Sequence, residues 1–209
     1  MKIKTYIKLF ILIGFMLTIF SFHPTEKNNK HDDTKWTVQH SSSLCVEGKS
    51  NVNKFSCEIT DYCKFDTITF LKPINKKDEM YFRMDGCMKL DISSFNCHDI
   101  MITRDFRKTL KYKENPYLSI HFEQIEKFEP SPNSQVLKGI IKINLANVTK
   151  EYKVDYVVLH SPGNKIIHLI GNKLLNLSDF GLKPVSKMGG LIKVEDQLKV
   201  HFFLVLGAI

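Results

Sequence analysis

The chain has 209 residues, 43% of them hydrophobic and 25% charged, which is enough for one domain with its own buried core. Thirty Lys and Arg against 22 Asp and Glu give a formal charge of +8. The lysines are spread along the chain, which reads as a solvated basic surface or, as the alternative, as attraction to an anionic membrane surface. Nucleic acid is not an expected partner of a chain that leaves the cytoplasm, and its first residues direct that export.

Lys2, Lys4 and Lys8 form a basic start, and Leu9 to Phe20 is apolar apart from Gly14 and Thr18. That pattern fits a secretory signal and falls short of the roughly 20 apolar residues that span a bilayer. Residues 1–23 are therefore read as an export signal leading to the periplasm or the exterior. No A-x-A site follows, so retention as an uncleaved anchor stays open. Residues 24–35 are polar and charged, with Lys27-Asn28-Asn29-Lys30-His31-Asp32-Asp33, and read as a flexible lead-in. The folded domain is assigned to residues 36–209.

Trp36, Val38 and His40 alternate before the polar break Ser41-Ser42-Ser43, and Leu44 and Val46 resume the alternation. Gly48 with Lys49-Ser50-Asn51 predicts a turn or bulge. Val52–Ile59 and Phe65–Leu71 read as the next strands, and Pro73–Glu79 as a charged connection. Met80, Phe82 and Met84 then alternate with Tyr81, Arg83 and Asp85, and Met88, Leu90 and Ile92 continue the apolar set.

His98 to Lys113 breaks this rhythm. Ile102, Phe106 and Leu110 recur every four residues, which predicts a short amphipathic helix from Asp99 to before Asn115-Pro116, packed on the barrel or plugging one mouth. Strands resume with Leu118, Ile120 and Phe122. Glu129–Ser134 is a loop, and Gly139–Leu145 a strand carrying Ile141 and Ile143. Asn147–Lys150 is read as a turn, Glu151–Leu159 as a return strand and Lys165–Ile170 as a short strand. Gly171–Val185 is read as a connection with one helical turn at Ser178-Asp179-Phe180-Gly181.

The strongest alternation comes last. Ile192, Val194, Leu198, Val200, Phe202 and Leu204 share one parity, while Lys193, Glu195, Lys199 and His201 take the other. A period of two places these sets on opposite faces of a strand. Leu191–Leu206 is accordingly read as a hairpin turning at Glu195-Asp196-Gln197. The total, about eight to ten strands and one helix, points to an up-and-down barrel or a sandwich.

Five cysteines, at 45, 57, 63, 87 and 97, lie in an exported chain, where disulfides persist. Phe55-Ser56-Cys57 and Phe95-Asn96-Cys97 share a local context, which predicts a Cys57–Cys97 bridge between early strands. Its loop predicts about 3–4 kcal/mol of stabilisation in the loop-entropy model. Cys45, Cys63 and Cys87 then leave an odd thiol, and the absence of C-x-x-C argues against a redox dithiol.

Chemistry-bearing motifs are sparse. His121, His168 and His201 fall on the parity opposite the apolar one, where a histidine is solvated. His98 beside Cys97 has no partner at metal-ligand spacing. No nucleophile elbow or glycine-rich phosphate loop occurs, and Asp78-Glu79 and Glu195-Asp196 sit in turns, where they favour the turn itself. No catalytic residue, metal or cofactor is expected. What remains is the apolar parity: Leu118, Ile120, Phe122, Ile141, Ile143, Leu198, Val200, Phe202 and Leu204 would line a barrel interior. An eight-stranded barrel is of a size that side chains either fill or leave open for one ligand.

Several stretches also resemble a known family. Trp36, Ser42-Ser43-Leu44 and Gly48-Lys49-Ser50-Asn51-Val52-Asn53-Lys54-Phe55-Ser56-Cys57 come first. Leu90-Asp91-Ile92 with Ser94-Phe95-Asn96-Cys97 follows, and then Met101, Asp105, Leu110, Pro116, Ile120 and Phe122. Leu177-Ser178-Asp179-Phe180-Gly181-Leu182-Lys183-Pro184 and Gly190-Leu191-Ile192-Lys193-Val194-Glu195-Asp196 close the series. In this order and spacing, over residues 36–206, they resemble the YceI-like, polyisoprenoid-binding, lipocalin-like family. Cys45, Cys63 and Cys87 are not part of that pattern.

The resemblance implies an all-β fold, an extended eight-stranded antiparallel barrel with one helix against it. It also implies a long isoprenoid-type lipid, such as a quinone-like chain, held inside an exported, non-catalytic protein. Three functions compete: a lipid carrier, a non-catalytic scaffold at the envelope with a filled core, and an enzyme on a hydrophobic substrate. The missing polar constellation makes the enzyme the weakest of these.

Overall fold

The structure is a computed structural model that describes residues 34–60, 62, 64, 66–71, 81–127, 133–161, 163 and 165–209. The export signal, the lead-in to residue 33, the connection at 73–79, most of the 129–134 loop and Cys63 lie outside the described residues.

The alternating segments form strands β1 (Thr34–Val38), β2 (Ser43–Lys49), β3 (Lys54–Ile59), β4 (Thr67–Leu71), β5 (Tyr81–Asp91), β6 (Tyr117–Glu126), β7 (Gln135–Leu145), β8 (Val148–His160) and β9 (Ile166–Asn176). The short β10 (Ser186–Lys187) and β11 (Ile192–Lys193) follow, and β12 (Gln197–Ala208) ends the fold. Among the described residues one α-helix, α1 (Ile100–Thr109), interrupts them, with Asp99 as its cap accepting a hydrogen bond from the Ile102 backbone N–H at 2.8 Å.

Strands pair antiparallel in the order β1-β4-β5-β6-β7-β8-β9-β12, and a β1–β12 pairing joins the ends. Eight of the described strands thus close a barrel, as the resemblance implies, where the alternation alone left a barrel or a sandwich. Closure changes partner along β12. Leu206–Ala208 pairs with β1, whereas Lys199–Phe203 pairs with β2, which carries β3 on its other edge. Ser42 bridges the switch: it is buried, and its hydroxyl accepts from the Val205 N–H at 3.0 Å. The serine break therefore replaces ladder bonds where the chain steps from β1 to β2.

At that second end, β3 meets the segment before α1. Glu58 and Asn96 exchange backbone hydrogen bonds of 2.9 and 3.0 Å, and Cys57 and Cys97 are disulfide-bonded, as predicted. Bulges shift the register of β5 on β6 between Arg83 and Cys87 and of β6 on β7 between Phe122 and Gln124. The second explains why the inward position on β6 passes from Phe122 to Ile125, both buried.

Several sequence-based boundaries move. β1 starts at Thr34, inside the segment read as lead-in, because Thr34 and Lys35 pair with Phe70 and Thr69. The turn after β7 is only Ala146-Asn147, both at positive φ (50° and 64°), which lets a two-residue hairpin turn and leaves Val148–Lys150 in β8. β9 runs on through Gly171–Asn176, read above as connection, because those residues pair fully with β12. The hairpin expected over Leu191–Leu206 does not form. β12 has β9 on one edge and β1 and β2 on the other, so Ile192–Lys193 pairs with β10 instead.

Candidate functional site

All nine apolar positions singled out above belong to the interior cluster of the barrel. They divide by depth. Leu118, Ile120, Ile143, Leu198 and Val200 line an inner cavity of about 60 Å³ at the end of the barrel beneath α1. Phe122, Ile141, Phe202 and Leu204 do not line it.

Beyond the cavity the barrel is solid. Phe202, partly buried, stacks edge-on to the buried Tyr156 with centroids 5.3 Å apart. A Cβ at Gly171 would stand 2.2 Å from the Phe202 ring, and one at Gly139 would stand 2.6 Å from the Tyr156 ring. Two glycines therefore leave the room that two aromatic rings fill, forming a floor. Past this floor Val38, Ile68, Ile125, Val158, Ile167 and Leu206 are sealed from water.

The cavity has further walls that parity in strands did not single out. Phe106 and Leu110 descend from α1, Leu44 and Val46 from β2, and Phe180 from the 3-10 turn after β9. The helix stripe was read as packing on the barrel or plugging one mouth, and it lies over the barrel end. Phe95 packs edge-on to Phe106 at 5.3 Å, and the Arg107 guanidinium donates to the Phe95 carbonyl at 2.8 Å. Together with the adjacent disulfide these contacts pin α1 to β3.

A second space of about 210 Å³ opens above the first. It is a mouth between α1, the β2–β3 turn and the 185–194 segment. Phe106, Leu177 and Leu198 line both spaces, so these three side chains form their common border. Apolar residues such as Val52, Phe55 and Ile192 dominate the mouth. Its polar groups are few: Ser50, Asn53, Thr109 and an Asp105–Lys187 ion pair that ties α1 to the opposite lip. The far side is held by Asp196, whose carboxylate accepts from the Ser178 N–H at 2.9 Å and from the Ser178 hydroxyl.

The histidines and free thiols lie elsewhere. His98 pairs with Glu58 at 2.6 Å and His201 with Glu47 at 3.1 Å, while His121 stands 3.6 Å from the Cys87 sulfur. Ser161 contacts His168 Nε2 at 3.2 Å. None of these groups lines the cavity. Among the described residues no His, Cys, Asp and Glu gather as a metal site. Cys45 and Cys87 are free thiols, each pushed above the ordinary range by burial and then by a nearby carboxylate (Glu47 and Asp66). Glu195 and Asp196, read as turn carboxylates, serve structure: Glu195 pairs with Lys49 at 3.1 Å.

No family model matches the chain, and no curated protein matches it by sequence. Solved structures do match. A polyisoprenoid binding domain from Saccharophagus degradans, implicated in plant cell wall breakdown, is 10% identical and covers 85% of this chain and all (100%) of its own, with a TM-score of 0.60. BcnA of Burkholderia cenocepacia is 14% identical over 78% of this chain and 95% of its own, with a TM-score of 0.56. At these identities the likeness is one of fold, and it bears out the sequence resemblance at that level. The chain has the extended, lipocalin-like antiparallel barrel of the YceI-like, polyisoprenoid-binding proteins.

Proposed function

We propose that this is an exported lipid-binding protein that sequesters or carries an amphiphilic isoprenoid-type lipid, with the tail lying along the mouth and its end reaching the inner cavity, and the head at the outer opening. One observation carries the reading: an apolar cavity inside the barrel borders an apolar mouth across Phe106, Leu177 and Leu198. The Saccharophagus degradans neighbour, described as polyisoprenoid binding, supports the ligand class.

Affinity follows from transfer of the tail out of water, roughly 0.8 kcal/mol per buried methylene before ordering costs. The head needs only orientation, for which Asn53, Thr109, Asp105 and Lys187 stand at the opening. The reading requires no catalytic group. A scaffold with a filled core is the second reading, favoured by the solid half of the barrel beyond Tyr156 and Phe202.

Native mass spectrometry of the purified protein, with extraction of bound lipid, separates the two. The carrier shows a one-to-one adduct with a prenyl lipid. Val200→Phe, which fills the cavity, cuts the adduct at least about tenfold while the far-ultraviolet circular dichroism stays unchanged. A bare protein that takes up no prenol supports the scaffold.

A further inference from the structure

The lips of the mouth carry apolar side chains that the fold does not use. Val52, at the tip of the β2–β3 turn, is 63% exposed, and Met188 and Leu191 are each 70% exposed. The two turns are laced into one lip. The Asn51 side chain donates to the Leu191 carbonyl at 2.8 Å and accepts from the Lys193 N–H at 2.9 Å, and the Asn51 N–H donates to the Lys193 carbonyl at 3.1 Å.

The backbone there is arranged for display. Met188, Gly189 and Gly190 lie at φ 51°, 65° and 98°, a left-handed run that is uncommon for methionine. Lys54 and Lys193 are exposed beside the lip. Apolar tips flanked by cations are the pattern of a surface that enters the headgroup region of an anionic bilayer.

We propose that the mouth is a membrane-docking face. Met188 and Leu191 insert into the interface of an anionic bilayer, Lys193 and its neighbours contact the headgroups, and the cavity opens onto the lipid phase. The proposal rests on the lipid-binding reading for its purpose but is tested apart from it. A tail moving between bilayer and barrel by this route never crosses water.

The full-length mature protein is co-sedimented with vesicles of phosphatidylcholine alone or with about one third phosphatidylglycerol. Wild type is expected to bind the anionic vesicles, to bind less at high salt, and to leave neutral vesicles largely free. Met188→Ser with Leu191→Ser weakens binding about tenfold or more, and Lys193→Glu weakens it severalfold at low salt. These residues lie outside the cavity and mouth lining, so native mass spectrometry with geranylgeraniol is expected to show the same adduct for wild type and both variants.

Equal sedimentation of wild type and the double variant overturns docking by this face, as does a wild type that binds neither vesicle. Loss of the prenol adduct in the double variant also overturns it, since the lip then belongs to the binding site. Vesicle binding without any prenol adduct sinks the carrier reading and leaves docking standing.

Discussion

Gly171 decides how far the cavity reaches. It faces the Phe202 ring so closely that a single added carbon would meet that ring at 2.2 Å and the Asp155 carbonyl at 2.9 Å. Gly171→Ala is expected to lower unfolding stability by about 1–3 kcal/mol through overpacking, measured by urea denaturation. Phe202→Leu in the same chain recovers part of the loss, because it removes the atoms that clash. Loss of stability unchanged in the double variant would show that Phe202 is not the neighbour that matters. At this scale parity was informative: all nine apolar positions face inward, because a strand has only two faces. Depth was not legible, since position along the barrel axis depends on the stagger of neighbouring strands. Sequence therefore could not tell Val200, at the cavity, from Phe202, at its floor.

The unit made of β2, β3 and α1 builds the open end. β3 reaches the rest of the wall through the Glu58–Asn96 bridge and the Cys57–Cys97 disulfide. Replacing both cysteines by serine is expected to cost roughly 3–4 kcal/mol in the loop-entropy model, read as a lower urea midpoint. Hydrogen exchange should rise first in β3 and α1. Uniformly faster exchange across β6–β9 would contradict the idea that the bridge staples this end. The helix and bridge were legible because each rests on a local signal, a four-residue stripe or a repeated Phe-x-Cys context. The last hairpin was misread for a physical reason. Ile192 and Val194 share the parity of β12, but pairing depends on free edges, and β12 has β9 on one side and β2 and β1 on the other.

At the largest scale, the unit described from residue 34 onward is a barrel closely packed at one end and opening beside a helix at the other. Its stability carries an alkaline signature. Burial, the largest effect, holds the hydroxyls of Tyr62, Tyr152 and Tyr156 above their ordinary value near 10, and Asp66 and Asp179 add to it at the first two. Tyr152, for instance, donates to Asp179 at 3.1 Å. A folded-state value above the unfolded one gives stability that is complete below pH 10 and lost as pH rises past it. Thermal melts are expected to be level from pH 8 to about 9.5 and to fall above about 10. The fall is shallower in Tyr156→Phe, and an identical fall in that variant would contradict the assignment.

The claim on which the rest depends is that a prenyl tail lies between α1 and the cavity-lining strands. Photo-crosslinking with a diazirine-bearing geranylgeranyl probe, mapped by peptide mass spectrometry, tests it most directly. The account predicts labels on the α1 peptide with Phe106 and on the β12 peptide with Leu198 and Val200, both displaced by excess geranylgeraniol. Labels confined to the outer face, at Val136 or Leu174, or labels that excess prenol does not displace, would contradict it.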